Sequence, residues 1–174
     1  MSAEIKSLRA NGFWMAGKIL VVFYSRTGNT RRVAEAIADN LKCDIEEIKE
    51  PRDRAGIMGY LSAGRDAGMG WKTELKDLEK KTADYDLVIV GTPIWSFTLS
   101  SPVRTHMMLN KGKFKNAAFF CTYGGNGSER AFAEMEKEGG IKPLATLEVR
   151  ERELPNLSYL EKVRKFTDSL KNKA

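Results

Sequence analysis

Three apolar runs and two shorter, mixed strand-like segments recur along the chain, and between them apolar positions fall at helical spacing. The first run, Ile19 to Tyr24, is unbroken and rich in β-branched and aromatic residues, the pattern of a strand buried on both faces. Tyr85 to Gly91 and Lys115 to Thr122 repeat it, while Cys43 to Ile48, which contains Asp44, Glu46 and Glu47, and Leu144 to Val149 read as shorter strands. Val33, Ala34, Ile37, Ala38 and Leu41 share one face of a helix over about 29–41. A second helix begins at Pro102, which suits a first turn, and runs to Leu109. Ser128 to Glu138 is a third, closed by Gly139-Gly140. Leu157 to Leu170 is a fourth, with Leu160, Val163, Phe166 and Leu170 directed inward. Strands alternating with helices predict a doubly wound α/β fold: a five-stranded parallel sheet with helices on both faces.

Two stretches stand outside this alternation. Residues 1–16 mix charges, glycine and isolated apolar positions and read as an N-terminal extension to a single domain over 17–174. Residues 55–70 are rich in Gly and Ala. They are read either as a helix whose small-residue face packs closely on a neighbour or as a mobile loop.

The switch after the first run is the most informative point. Ser25, Arg26, Thr27, Gly28, Asn29 and Thr30 follow the strand directly and lead into the first helix. Backbone N–H groups at a helix N-terminus, the helix dipole and hydroxyl or amide side chains together make a cradle for phosphate. Gly28 permits close backbone approach. The competing reading is an ordinary capped turn, since the same residue types cap helices.

Here the chain resembles the flavodoxin family. Val21, Val22, Phe23, Ser25, Gly28, Thr30, Ala34 and Ile37 match its first-strand signature position by position. The resemblance spans roughly 17–172 and implies the flavodoxin-like strand order 2-1-3-4-5, with the first turn holding the phosphate of FMN.

Ligands of open α/β sheets bind beyond the carboxyl ends of the strands, so the turns after the first, third and fourth strands should converge. The third-strand turn carries Thr92, Pro93, Ile94, Trp95 and Phe97. The fourth carries Cys121, Thr122, Tyr123, Gly124 and Gly125. Phosphate donors on one side and aromatics on the others suit a phosphorylated planar ligand. The resemblance implies that Trp95 and Tyr123 flank the flavin ring, and that Thr92 and backbone groups near Gly124 and Gly125 hydrogen-bond its edge. Core packing for the aromatics and plain turn roles for the glycines are the alternatives.

Other chemistries lack their residues. A receiver domain needs an acidic pair after the first strand and an Asp ending the third, where this chain has Tyr24-Ser25 and Gly91-Thr92. A Gly-Lys-Ser/Thr phosphate loop is absent, Gly124 to Gly127 lacks dinucleotide spacing, and neither cysteine begins Cys-x5-Arg. No His/Cys/carboxylate metal cluster is evident. His106, the single histidine, is read as structural or surface, and Arg104 as a solvated helix charge.

Composition narrows the remaining choices. With 29 Lys and Arg against 23 Asp and Glu the net charge is +6, but the charges are interleaved and form no nucleic-acid motif. No apolar run is long enough to span a membrane, and two cysteines are too few for a disulfide framework, so a cytoplasmic place is expected. Carrier flavodoxins are typically strongly acidic and often use a Gly in the third-strand turn. Its peptide flips on flavin reduction. Here the chain is basic, and 93–101 contains no Gly. Both features favour an NAD(P)H-dependent reductase of a quinone, flavin or similar acceptor over a one-electron carrier. A flavin-binding sensor is a third reading. Partners would be small-molecule or protein electron donors and acceptors, and the protein a monomer or homodimer.

Overall fold

Strand β1 (Ile19–Phe23) lies between two parallel neighbours, β2 (Asp44–Glu47) and β3 (Leu87–Trp95). Both of its edges are therefore hydrogen-bonded within the sheet. This computed structural model describes residues 17–51, 62, 64–66 and 68–173. The extension 1–16 and most of the Gly/Ala-rich stretch fall outside the described residues.

β3 pairs in parallel with β5 (Ala117–Tyr123), and β5 with β6 (Pro143–Arg150), so the parallel sheet runs β2-β1-β3-β5-β6. This is the expected 2-1-3-4-5 order of five strands. A sixth, two-residue strand, β4 (Thr98–Leu99), folds back antiparallel onto the end of β3. Helices α1 (Asn29–Leu41), α2 (Ser101–Leu109), α3 (Ser128–Gly139) and α4 (Tyr159–Lys173) complete the fold.

Alternation along the buried strands splits the core into two layers. Val21, Phe23, Ile89 and Phe120 face Val33 and Ile37 of α1 and Val163 and Phe166 of α4. Leu20, Val22, Val88 and Phe119 face the other way, onto Val103 and Met107 of α2 and Met135 of α3. Each strand residue thus has a helix to pack on, which is why these runs are apolar without a polar side.

The structure corrects two sequence expectations and bears on the two readings of the Gly/Ala-rich stretch. The third apolar run does not end at Gly91: β3 continues through Thr92, Pro93 and Ile94 to Trp95, which pairs with Thr98. Ser96 and Phe97, with φ of 46° and 63°, make the two-residue turn. Hairpin turns of this length favour positive φ, usually marked by Asn or Gly. Ser-Phe carries no such mark, so the hairpin was not legible. Leu160 is largely exposed and Tyr159 is buried in its place, because Leu157 takes a left-handed conformation and α4 starts at Tyr159. In the Gly/Ala-rich stretch, residues 62, 64–66 and 68 are helical, and Gly64 and Gly68 approach Ser96 at the tip of the hairpin. Within the described residues this is the close-packed small-residue face.

Gly91 shows how tightly side chains of neighbouring strands pack, since it stands opposite Phe120 of β5. A Cβ there would lie 2.0 Å from the Phe120 ring. Gly91→Ala should therefore lower unfolding stability by about 1–3 kcal/mol through overpacking, read from urea midpoints. Adding Phe120→Leu should recover part of the loss.

Candidate functional site

At the carboxyl ends of β1, β3 and β5 three turns enclose a cavity of about 590 Å³. Small-molecule and cofactor pockets run to roughly 300–1,000 Å³. The first turn contributes Arg26, Thr27, Asn29 and Thr30. Ser25 and Gly28 do not line the cavity and instead shape the turn. Ser25 Oγ accepts hydrogen bonds from the backbone N–H of Gly28 at 3.1 Å and of Arg31 at 3.3 Å. Gly28, at φ 89°, leads into α1. The first-turn N–H groups of α1 have no partners within the helix.

A hydrogen bond of 2.7 Å between the hydroxyls of Thr30 and Thr122 ties this turn to the end of β5. Both side chains are almost fully buried at the cavity floor. Tyr123, Gly124 and Gly125 continue that wall. The Tyr123 ring is held from two sides. Its hydroxyl donates to Glu148 at 3.0 Å, and the Arg150 guanidinium stands 5.4 Å from the ring centroid.

The third wall is the β3–β4 hairpin, with Pro93, Ile94, Trp95 and Phe97 on the cavity. Trp95 is 7% exposed and meets Tyr24 edge-on at 5.4 Å. Phe97 is 63% exposed, which makes it the most open aromatic of the cavity wall. Its backbone is seated on Gly127 at the start of α3, where a Cβ would come within 2.6 Å of it. From the other side Ser96 Oγ donates to the Gly64 carbonyl at 2.6 Å.

Two expected ligand contacts are displaced. Thr92 is fully buried behind the wall because β3 runs on past it. Its hydroxyl donates to the Pro93 carbonyl at 2.9 Å and accepts from the Ser100 N–H at 3.0 Å. Cys121 is also fully buried, with its side of β5 facing protein. Burial, then the charge of Glu148, pushes its thiol up, and burial likewise pushes Cys43 up to about 12. Neither supplies a reactive thiolate. Ser96, Asn126 and Glu151 line the cavity without having been anticipated. Asn126, next to Gly124 and Gly125, could have been found by extending the turn by one residue. Glu151 is brought in by the end of β6, which no local pattern connects to the other turns.

Arg104 is not solvated. It is buried between α2 and α3, paired with Glu134 and, at 3.1 Å, with Glu138. The i,i+4 spacing of those two carboxylates was the available signal. Thr98 donates to Glu134 at 2.7 Å, so the network also anchors the hairpin. Burial alone would raise the Glu134 carboxyl, but hydrogen bonds from Thr98, Arg104 and Arg130 outweigh it and hold the group below its ordinary value.

The fold and the cavity define a class: a doubly wound α/β protein whose ligand site stands at the carboxyl edge of a parallel sheet. The sequence model of the flavodoxin family matches residues 18–147, and the chain belongs to that family. An NAD(P)H dehydrogenase (quinone) of Archaeoglobus fulgidus is 30% identical over 91 residues, which are 50% of this chain and 48% of that protein. The chain thus matches about half the length of that relative. Among solved structures, the flavoprotein of Lactobacillus acidophilus in complex with FMN is 24% identical. Its TM-score is 0.67, over 82% of this chain and 99% of its own. The two-electron reduced flavodoxin of Megasphaera elsdenii is 21% identical, with a TM-score of 0.52 over 87% and 98%. Both share the fold. Among the described residues no helix is long and apolar enough to cross a membrane, and no cluster of residues suited to a metal ion occurs.

A glutamate held below its unfolded value stabilises the fold above that value, and the contribution is lost as pH falls through the depressed one. Urea midpoints of the wild type should therefore fall on acidification below the ordinary glutamate value of 4.5. Glu134→Gln should be less stable at neutral pH and show a flatter acid limb.

Proposed function

We propose that this chain binds FMN non-covalently in the three-turn cavity and acts as an NAD(P)H-dependent reductase of a quinone, flavin or similar acceptor. One observation carries the flavin reading: a donor-rich strand-to-helix turn shares a single cavity with three aromatic side chains. The donor set fits a phosphate. Thr27, Asn29 and Thr30 would hold it together with the first N–H groups of α1, and Arg26 would add positive charge. Ser25 and Gly28 would keep the turn in shape. Phe97 and Tyr123 would flank the ring with Trp95 behind them, while Pro93, Ile94, Gly124 and Gly125 close the remaining walls. Glu151, beside Gly124, is the one carboxylate of the cavity among the described residues. Bound FMN supplies hydride and electron transfer, and the protein binds, orients and shields it.

Three features support reductase over carrier. The relative from Archaeoglobus fulgidus is named as a quinone dehydrogenase. The net charge of +6 withholds the repulsion that an acidic protein exerts on reduced, anionic flavin. The hairpin tip already has Ser96 and Phe97 left-handed, pinned between Gly64 and Gly127, which resists a peptide flip on reduction. Family membership supports the one-electron carrier as the second reading. Both cysteines are free, Cys121 buried and Cys43 partly buried, in keeping with a cytoplasmic protein; the reading leaves the protein a monomer or homodimer.

Purified protein should carry flavin or quench added FMN fluorescence with micromolar affinity. The double variant Ser25→Ala, Thr30→Ala should weaken FMN by about tenfold or more while leaving riboflavin nearly unchanged; equal losses would remove the phosphate assignment. Anaerobic NADPH or NADH should bleach the bound flavin rapidly. Bleaching by dithionite alone, in two resolved one-electron steps, would make it a carrier.

A further inference from the structure

Phe97, the open ring of the cavity wall, stands one residue before Thr98 of β4. Thr98 is fully buried, and its hydroxyl lies between two charged side chains. Arg104 Nη2 donates to Thr98 Oγ1 at 3.5 Å, and Oγ1 stands 2.7 Å from Glu134 Oε2. A guanidinium can only donate and an ionised carboxylate can only accept, so the hydroxyl accepts from Arg104 and aims its proton at Glu134. Glu134 is itself fixed. Arg104 pairs with its Oε2, and Arg130 donates to its Oε1 at 2.9 Å. Arg104 is held in turn by Glu138 at 3.1 Å. One hydroxyl of the hairpin is thus locked to α2 and α3 at once.

The hairpin tip needs such a tether. Ser96 and Phe97 hold φ of 46° and 63°, a region that is unfavourable for residues other than glycine. A freed tip relaxes from that region and carries the Phe97 ring with it. Phe97 is 63% exposed, so its place depends on its backbone rather than on packing of the ring. Trp95 differs, since it is buried and braced edge-on by Tyr24. Thr98, Arg104 and Glu134 are not among the residues that line the cavity, so any effect they have on a ligand passes through the hairpin.

We propose, on the flavin reading of the cavity, that Thr98 and Glu134 are positioning residues for the cofactor. Their hydrogen bond holds Phe97 where it covers the flavin ring, and so sets the affinity for the ring separately from the grip on the phosphate. Thr27, Asn29 and Thr30 tell FMN from riboflavin, whereas the Thr98–Glu134 pair acts on both flavins alike.

The test is fluorescence titration of the full chain with FMN and with riboflavin. Thr98→Val keeps the branched shape and removes the hydroxyl. It should weaken both flavins by about tenfold, and Thr98→Ser should restore the wild-type affinity. Phe97→Ala should cost a similar factor, and Thr98→Val should then add little to it, because the two changes act through one ring. Unchanged affinity in Thr98→Val, a loss confined to FMN, or losses that multiply in the double variant would overturn the proposal. If the wild type binds neither flavin, the flavin reading falls and this proposal with it; wild-type binding that Thr98→Val leaves intact removes this proposal alone. Backbone relaxation of the unliganded wild type needs neither a variant nor a flavin. Residue 97 should show an order parameter of about 0.85, and a value below about 0.6 would overturn the anchor.

Discussion

The whole molecule depends on the parallel pairing of β1 with a strand on each side. Leu20 to Phe23 is paired with both β2 and β3, and each side chain enters one of the two core layers. Parallel strands need crossovers, and the crossovers bring helices to both faces. The same pairing sends every strand end with its turn to one edge, so a ligand cavity there follows from the topology.

The cavity is held by contacts between turns that are far apart in sequence. Thr30 meets Thr122, the backbone of Phe97 rests on Gly127, and Ser96 reaches Gly64. Below the hairpin, Arg104 and its two glutamates tie α2 to α3, and Thr98 joins them. Removing one partner from such a buried network costs more than the pair itself contributes, because the remaining charge is stranded. Together these contacts hold the left-handed Ser96 and Phe97, a conformation that costs about 1 kcal/mol or more per residue outside glycine. The exposed ring of Phe97 is thus presented on a rigid tip.

The two ends of the sheet have opposite chemistry. The carboxyl edge combines hydroxyls, amides and aromatic rings around a helix N-terminus. The amino edge gathers lysines around the end of α2 and a neutral, buried imidazole. His106 and Arg104 lie two residues apart on the same short helix, yet neither is solvated. α2 is buried along nearly its whole length, so its polar residues must find partners inside the protein.

Local pattern determined the strands, the order of elements and the phosphate-type turn. An unbroken apolar run has few ways to fold, and Ser25 to Thr30 announces a turn by residue type alone. Most of the cavity-lining residues were named from that pattern and from the family resemblance. Tertiary structure decided what lies beyond local pattern. Thr92 turned inward because β3 continues as a strand past the expected turn, and Cys121 because its side of β5 faces protein. A Ser-Phe hairpin formed without a turn-forming residue because Gly127 leaves room for its backbone. Glu151 joined the cavity from the far end of β6, and Arg104 found its carboxylates on a helix about thirty residues away. Such pairings depend on which surfaces the folded sheet brings together, and spacing along the chain carries no record of that.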